Sequence, residues 1–154
     1  MMMEFTVNGR ARKLDADPGA PLADILRALG HVEVKKACGT GACGLCTVLL
    51  DGKPVPSCSV PAGRADGREI TTILGMGERA ATLAGFLAAE GAEQCGYCSP
   101  GFALMVLAME EELDNPTRED VRHYLAGNLC RCSGYEGQTR AVLKYLEARR
   151  AEKR

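Results

Sequence analysis

The chain has 154 residues, of which 46% are hydrophobic and 5% aromatic, and a formal net charge of −1. That length suits one ordinary domain or two small ones, and half of it, roughly 75 residues, is near the size where a core alone is marginal and a metal often helps. The balanced charge leaves no basic footprint for nucleic acid, and the longest nearly apolar run, Phe102 to Met109, is too short to span a bilayer.

Glu4 follows three methionines with neither a basic n-region nor an apolar h-region, so no secretory signal is read and a reducing cytoplasm is the expected compartment. Phe5-Thr6-Val7 leads into a hairpin signal at Asn8-Gly9, with a return strand through about Asp15. Pro21 to Leu29 predicts a short helix with Leu22, Ile25, Leu26 and Leu29 on one face and Gly30 at its C-cap. A glycine-rich cysteine loop runs from Ala37 to Cys46. Thr47 to Leu50 then reads as a strand turned by Asp51-Gly52, with a partner beginning at Val55 and ending near Cys58. Glu69 to Ile73 reads as a last strand. One helix across a small mixed sheet is a β-grasp arrangement.

Gly75 to Arg79 is the expected crossover, with Gly75-Met76-Gly77 as a linker turn, and from Ala80 the apolar period becomes helical. Helices are expected at about 80–90, 99–113, 117–126 and 136–150, with Gly91 and Gly127 at C-caps and Asn115-Pro116 stopping the second. Thr117 to Asp120 opens the third helix as a capping box. A weak repeat of helix, glycine, cysteine pair, serine and helix would gather both cysteine pairs at one end of a four-helix bundle. The expected fold is therefore α+β: a β-grasp domain over residues 1–76, then an all-α four-helix domain over residues 77–154.

Eight cysteines make two complete sets of four. Cys38, Cys43, Cys46 and Cys58 read C-x4-C-x2-C and a gap of eleven to the fourth, the opening spacing of a plant-type [2Fe–2S] loop. Cys95, Cys98, Cys130 and Cys132 read C-x2-C, a gap of 31, then C-x-C. In a reducing compartment such sets mean metal more often than disulfides. Small residues between the first four ligands let the backbone wrap a cluster whose sulfides accept N–H hydrogen bonds. A zinc knuckle also uses C-x2-C, but zinc rarely takes C-x4-C-x2-C in a glycine-rich loop after a strand–helix unit. The second set is less specific and leaves zinc open. Both of its pairs precede helices, with Ser99 and Ser133 placed to cap and Pro100 in a first turn, so helix N-termini would face an anionic site.

His31 and His123 read as surface or capping residues, and Met105 and Met109 as core. The basic end from Arg149 to Arg154 reads as a solvated helix terminus. No nucleophile–base pair and no phosphate loop is present, so the chain lacks substrate chemistry of its own.

With both sets placed, the chain resembles the small iron–sulfur subunit of the molybdenum hydroxylase (xanthine dehydrogenase/aldehyde oxidoreductase) family over residues 4–148. The motifs that carry this are Cys43-Gly44-Leu45-Cys46-Thr47-Val48, Gln94-Cys95-Gly96-Tyr97-Cys98-Ser99-Pro100-Gly101 and Gly127-Asn128-Leu129-Cys130-Arg131-Cys132-Ser133-Gly134-Tyr135. The resemblance implies two [2Fe–2S] clusters, one on each set of four cysteines. It implies a large partner subunit with a molybdenum–pterin cofactor and a medium subunit with FAD. Single electrons would pass from molybdenum to the helical cluster, then the plant-type cluster, then flavin. Cys132 and Gln94 would lie closest to the pterin, Gln94 as a side-chain hydrogen-bond partner. Ala37 stands where glycine is usual before the first cysteine, Gln138 where isoleucine is common, and Ser99 and Ser133 replace frequent threonines. A free-standing ferredoxin-like carrier is the alternative reading, and a zinc-stabilised interaction module a distant third.

Overall fold

In the computed structural model, residues 1–152 are described. Strands β1 (Met2–Val7) and β2 (Arg10–Asp15) form the expected hairpin, with Asn8 and Gly9 at φ 52° and 74°. Strands β3 (Thr47–Leu50) and β4 (Lys53–Pro56) repeat it, with Asp51 and Gly52 at φ 49° and 77°. Two successive positive φ values make a type I′ turn, whose twist matches that of the flanking strands. Strand β5 (Glu69–Thr71) enters between the hairpins, giving the order β2-β1-β5-β3-β4 with β1 and β5 parallel and the other pairs antiparallel.

Alternation sets the faces. Met3, Phe5 and Val7 point inward from β1, while Met2 and Glu4 face solvent. They meet Leu22, Ala23 and Leu26 of helix α1 (Leu22–Ala28) in one apolar core. Strand β3 is buried on both faces: Val48 and Leu50 join that core, while Leu49 packs on Leu104 and Ala108. Those two residues lie on α3 (Ser99–Glu112), so the second half of the chain covers the sheet's other face.

The second half comprises α2 (Gly77–Ala89), α3, α4 (Arg118–Tyr124) and α5 (Glu136–Glu152). Leu83, Leu87, Phe102, Val106, Val121, Val142 and Tyr145 share a second core. Among the described residues no helix is long and apolar enough to cross a membrane.

Several expected details shift. The fourth strand starts at Lys53 and stops at Pro56, since Cys58 lies on a 3-10 turn, Ser57–Ser59. The last strand ends at Thr71, and Ile73–Met76 forms another 3-10 turn that runs directly into α2, so Gly75-Met76-Gly77 is not a free linker. Gly91 takes the expected left-handed conformation after α2, but Gly127 does not after α4. The capping box is present: the Thr117 hydroxyl accepts from Asp120 N–H, and the Asp120 carboxylate accepts from Thr117 N–H. Arg149 is not merely solvated, because it pairs with buried Glu110 at 3.1 Å. The end of the basic tail, Lys153-Arg154, lies outside the described residues.

Candidate iron–sulfur centres

The loop between α1 and β3 carries three cysteines of the first set, and the 3-10 turn after β4 supplies Cys58. Cys43 and Cys46 are buried, Cys58 is half-buried and Cys38 is exposed. Gly39, Gly41 and Gly44 all have positive φ, a conformation that glycine adopts without steric cost. Thr40 N–H lies 3.5 Å from the Cys38 sulfur. The Thr40 backbone and hydroxyl, the Cys43 thiol and the Ala42 N–H together pull the Cys38 thiol down to about 5. Burial pushes the Cys46 thiol up, and its contact with the Cys58 thiol adds to that. The Ser57 hydroxyl donates to the Cys46 carbonyl at 2.6 Å, tying the turn to the loop.

In the second set, Cys98 is the residue before α3 and Cys130 and Cys132 lie ahead of α5. The Cys95 and Cys132 sulfurs are 3.6 Å apart and both are exposed. Cys98 and Cys130 form the inner couple, where burial and the neighbouring thiol push Cys98 up to about 11. Burial also acts to raise Cys130, but hydrogen bonds from Ser133 and from the Cys132 N–H outweigh it and hold this thiol down. One of them is the Ser133 N–H at 3.3 Å from the Cys130 sulfur.

The sulfurs of Cys95 and Cys132 are in contact, and electrostatic influence links the thiols of Cys38 and Cys43, Cys46 and Cys58, and Cys98 and Cys130. Two such pairs per set fit a binuclear cluster, in which each iron takes two thiolates. The N–H groups of Thr40 and Ser133 at the Cys38 and Cys130 sulfurs fit its anionic charge. Gln94 is exposed and precedes Cys95 in the chain. Exposed Tyr97, Leu129 and Tyr135 line the same cavity as Cys95 and Cys132, a space of about 440 Å³.

Both expected serine caps take other partners. The Ser99 hydroxyl donates to Glu93 at 2.8 Å, leaving α3 with Cys98 as an N-cap that offers no side-chain bond. Pro100 does occupy the first turn. The Ser133 hydroxyl accepts from Tyr135 N–H at 3.1 Å and donates to buried Gln138 at 3.0 Å, so it shapes the turn before α5. Gln138 therefore acts under the second set as a hydrogen-bond acceptor. His31 is not a surface residue: its Nδ1 lies 3.0 Å from Glu33, which also accepts from the Thr72 hydroxyl at 2.7 Å.

Sequence reasoning missed the contact between the two sets. Leu129 N–H donates to the Cys43 carbonyl at 2.9 Å, and the Asn128 amide reaches the Gly44 carbonyl at 3.4 Å. Further out, the Tyr97 hydroxyl donates to the Lys36 carbonyl at 2.8 Å, and Lys35 Nζ sits 5.5 Å from the Tyr97 ring centre. A signal was present in Gly101, a glycine inside a helix's first turn, which marks close approach of another backbone.

Two family models match. One, a 2Fe-2S iron-sulfur cluster binding domain, covers residues 5–75, and the other, a [2Fe-2S] binding domain, covers residues 72–143. The chain is 42% identical over 145 residues to the xanthine dehydrogenase iron-sulfur-binding subunit of Escherichia coli O157:H7, covering 92% of this chain and 91% of that one. It is 40% identical over 136 residues to the nicotinate dehydrogenase small FeS subunit of Eubacterium barkeri, covering 86% and 87%. Quinoline 2-oxidoreductase from Pseudomonas putida 86 superposes with a TM-score of 0.89 at 37% identity, covering 98% of this chain and 96% of the matched one. The aldehyde oxidoreductase of Desulfovibrio desulfuricans gives 0.90 at 39% identity, with this chain spanning only 17% of that longer protein.

Proposed function

The chain belongs to the small [2Fe–2S] iron–sulfur subunits of the molybdenum hydroxylase family, and on that premise we propose that it relays single electrons between a molybdenum–pterin site in a large partner subunit and FAD in a medium one. Cys38, Cys43, Cys46 and Cys58 would hold one cluster, and Cys95, Cys98, Cys130 and Cys132 the other. When bound, each cluster takes up and gives back one electron, which divides a two-electron oxidation into single steps.

The observation that carries this reading is the gathering of Cys95, Cys98, Cys130 and Cys132 around one cavity, with the Cys95 and Cys132 sulfurs 3.6 Å apart. The chain's residues would act on charge and access. N–H groups of Thr40 and Ser133 point at sulfurs, where they favour the added negative charge of the reduced state. Burial of Cys43 and Cys46 keeps water from one side of the first site, and exposure of Cys95 and Cys132 leaves an edge of the second open to a partner. On this reading that edge, with Gln94, faces the pterin, and the exposed plant-type loop around Cys38 faces the flavin. Tyr97, Leu129 and Tyr135 are large apolar side chains left exposed around the open edge, which favours a chain covered by partners over a free carrier. Residues 1–76 and 77–154 are proposed as a β-grasp domain and a four-helix-bundle domain, a division supported by their separate apolar cores.

Metal analysis of the purified chain is expected to give about four irons, with two distinct EPR species on reduction at low temperature. Zinc in place of iron, with no visible absorption, would overturn the proposal. In the cell, the chain should elute with larger partners.

A further inference from the structure

Alanine in a helix interior is normally more stabilising than glycine. Gly101 nonetheless holds the third position of α3, and its φ is not among the positive ones that would call for glycine. The requirement is one of space. A Cβ at Gly101 would sit 2.6 Å from the Gly44 carbonyl oxygen and 3.0 Å from that of Leu45, backbone atoms that cannot swing aside. On the facing loop, a Cβ at Gly44 would lie 2.6 Å from the Gly127 carbonyl oxygen, and Gly44 also needs its φ of +71°.

These glycines stand next to cluster ligands in sequence: Gly44 follows Cys43, Gly101 comes shortly after Cys98, and Gly127 shortly before Cys130. The two cysteine loops therefore touch backbone to backbone. Leu129 N–H closes the seam on the Cys43 carbonyl at 2.9 Å, so the chain runs from one ligand through a single hydrogen bond to the residue before another, Cys130. The buried Asn128 amide at 3.4 Å from the Gly44 carbonyl and the Tyr97–Lys36 bond at 2.8 Å hold the seam on either side.

We propose that Gly101 and Gly44 are positioning residues that set the separation of the two clusters by letting these backbones meet. The proposal rests on the reading that both sets carry [2Fe–2S] clusters. Electron tunnelling falls steeply with distance, so the seam governs how fast one cluster is oxidised as the other is reduced, with no bond made or broken. A methyl group at 101 would improve the helix locally and push the loops apart, which separates this role from simple helix stability.

The test uses the full chain with both clusters loaded, reduced with dithionite, and reads the magnetic splitting between the two reduced clusters by low-temperature EPR. This interaction weakens as the inverse cube of their separation. Gly101→Ala is expected to keep both clusters' absorption and individual g-values while the splitting shrinks, and electron redistribution after flash photoreduction to one electron per chain slows. Splitting and redistribution unchanged in a fully loaded variant would overturn the proposal. If Gly101→Ala fails to load the second cluster, Tyr97→Phe and Asn128→Ala decide, since each removes one seam bond; reduced splitting supports the proposal and wild-type splitting in both overturns it. A wild-type chain that binds no iron would instead sink the electron-transfer reading itself.

Discussion

The Tyr145 hydroxyl donates to the Glu110 carboxylate at 2.6 Å inside the helical core, where Arg79 and Arg149 also reach the same carboxylate at 3.0 and 3.1 Å. Burial alone would push the Glu110 carboxyl up. The Tyr145 and Arg79 hydrogen bonds and the two arginine charges outweigh it and hold the group below the ordinary 4.5. A depressed carboxylate contributes stability that is whole above 4.5 and is lost as pH falls through the lower native value. Tyr145 works in the opposite sense: burial and the carboxylate raise it from 10 to about 12, so its contribution is whole below pH 10 and drains as pH climbs from 10 to 12. Glu110→Gln is expected to cost on the order of 1–3 kcal/mol at neutral pH and to flatten the acid limb of stability. Thermal unfolding of the full chain followed by circular dichroism across acid and alkaline buffers checks both limbs. An acid limb as steep as wild type would show that other carboxylates control it.

Much of the frame was legible because local chemistry decided it. Asn8-Gly9 and Asp51-Gly52 demand type I′ turns wherever they fall between strands, and both hairpins formed there. The cysteine motifs likewise fall within the two matched 2Fe-2S family models, residues 5–75 and 72–143. What failed depended on contacts distant in sequence or on competing partners. Ser99 read as a cap, but Glu93 lies within reach of its hydroxyl, and a carboxylate is a stronger acceptor than anything the helix offers. His31 read as exposed because nothing nearby in sequence shows that Thr72, 41 positions on, closes over its partner Glu33. Apart from the glycine at 101, the seam went unread for the same reason: it joins Cys43 to Leu129, far apart in sequence, where α3 packs on β3.

Thr117→Ala removes the acceptor for Asp120 N–H at 3.2 Å and a hydroxyl donor to the Asp120 carboxylate at 2.7 Å. Helix α4 has only 7 residues, so its cap is a large share of its local support. The expected cost is about 1 kcal/mol. Amide hydrogen exchange should quicken first in α4. Asp120, held below 3.8 chiefly by the Thr117 hydroxyl and N–H, should titrate nearer that value. Exchange accelerated equally across all four helices would mean that α4 opens only with the whole core.

Cys132→Ser is expected to disturb the cluster of the helical half while the plant-type EPR signal survives. Cys132 is exposed and its couple is Cys95, whereas the first set is held by its own loop and by the Ser57–Cys46 bond at 2.6 Å. Visible absorption should fall by about one cluster's share, with roughly two irons retained. Loss of both signals together would show that Leu49, Leu104 and Ala108 join the two halves into one folding unit.

Gln138 links the helical core to Cys130, proposed as a cluster ligand, through one intermediary. Its buried side chain accepts from the Ser133 hydroxyl at 3.0 Å, and the Ser133 N–H points at the Cys130 sulfur at 3.3 Å. Gln138→Ile deletes that acceptor and leaves the Ser133 hydroxyl with the Tyr135 N–H at 3.1 Å. An N–H aimed at a thiolate favours the reduced cluster, because reduction adds negative charge on sulfur. Loosening Ser133 should therefore lower the potential of the helical-domain cluster and leave the plant-type cluster unmoved. A redox titration monitored by EPR, in which the two signals are resolved, reads the shift directly. A raised potential, or an equal shift in both clusters, would mean that Gln138 acts through general packing and not through the Ser133 N–H.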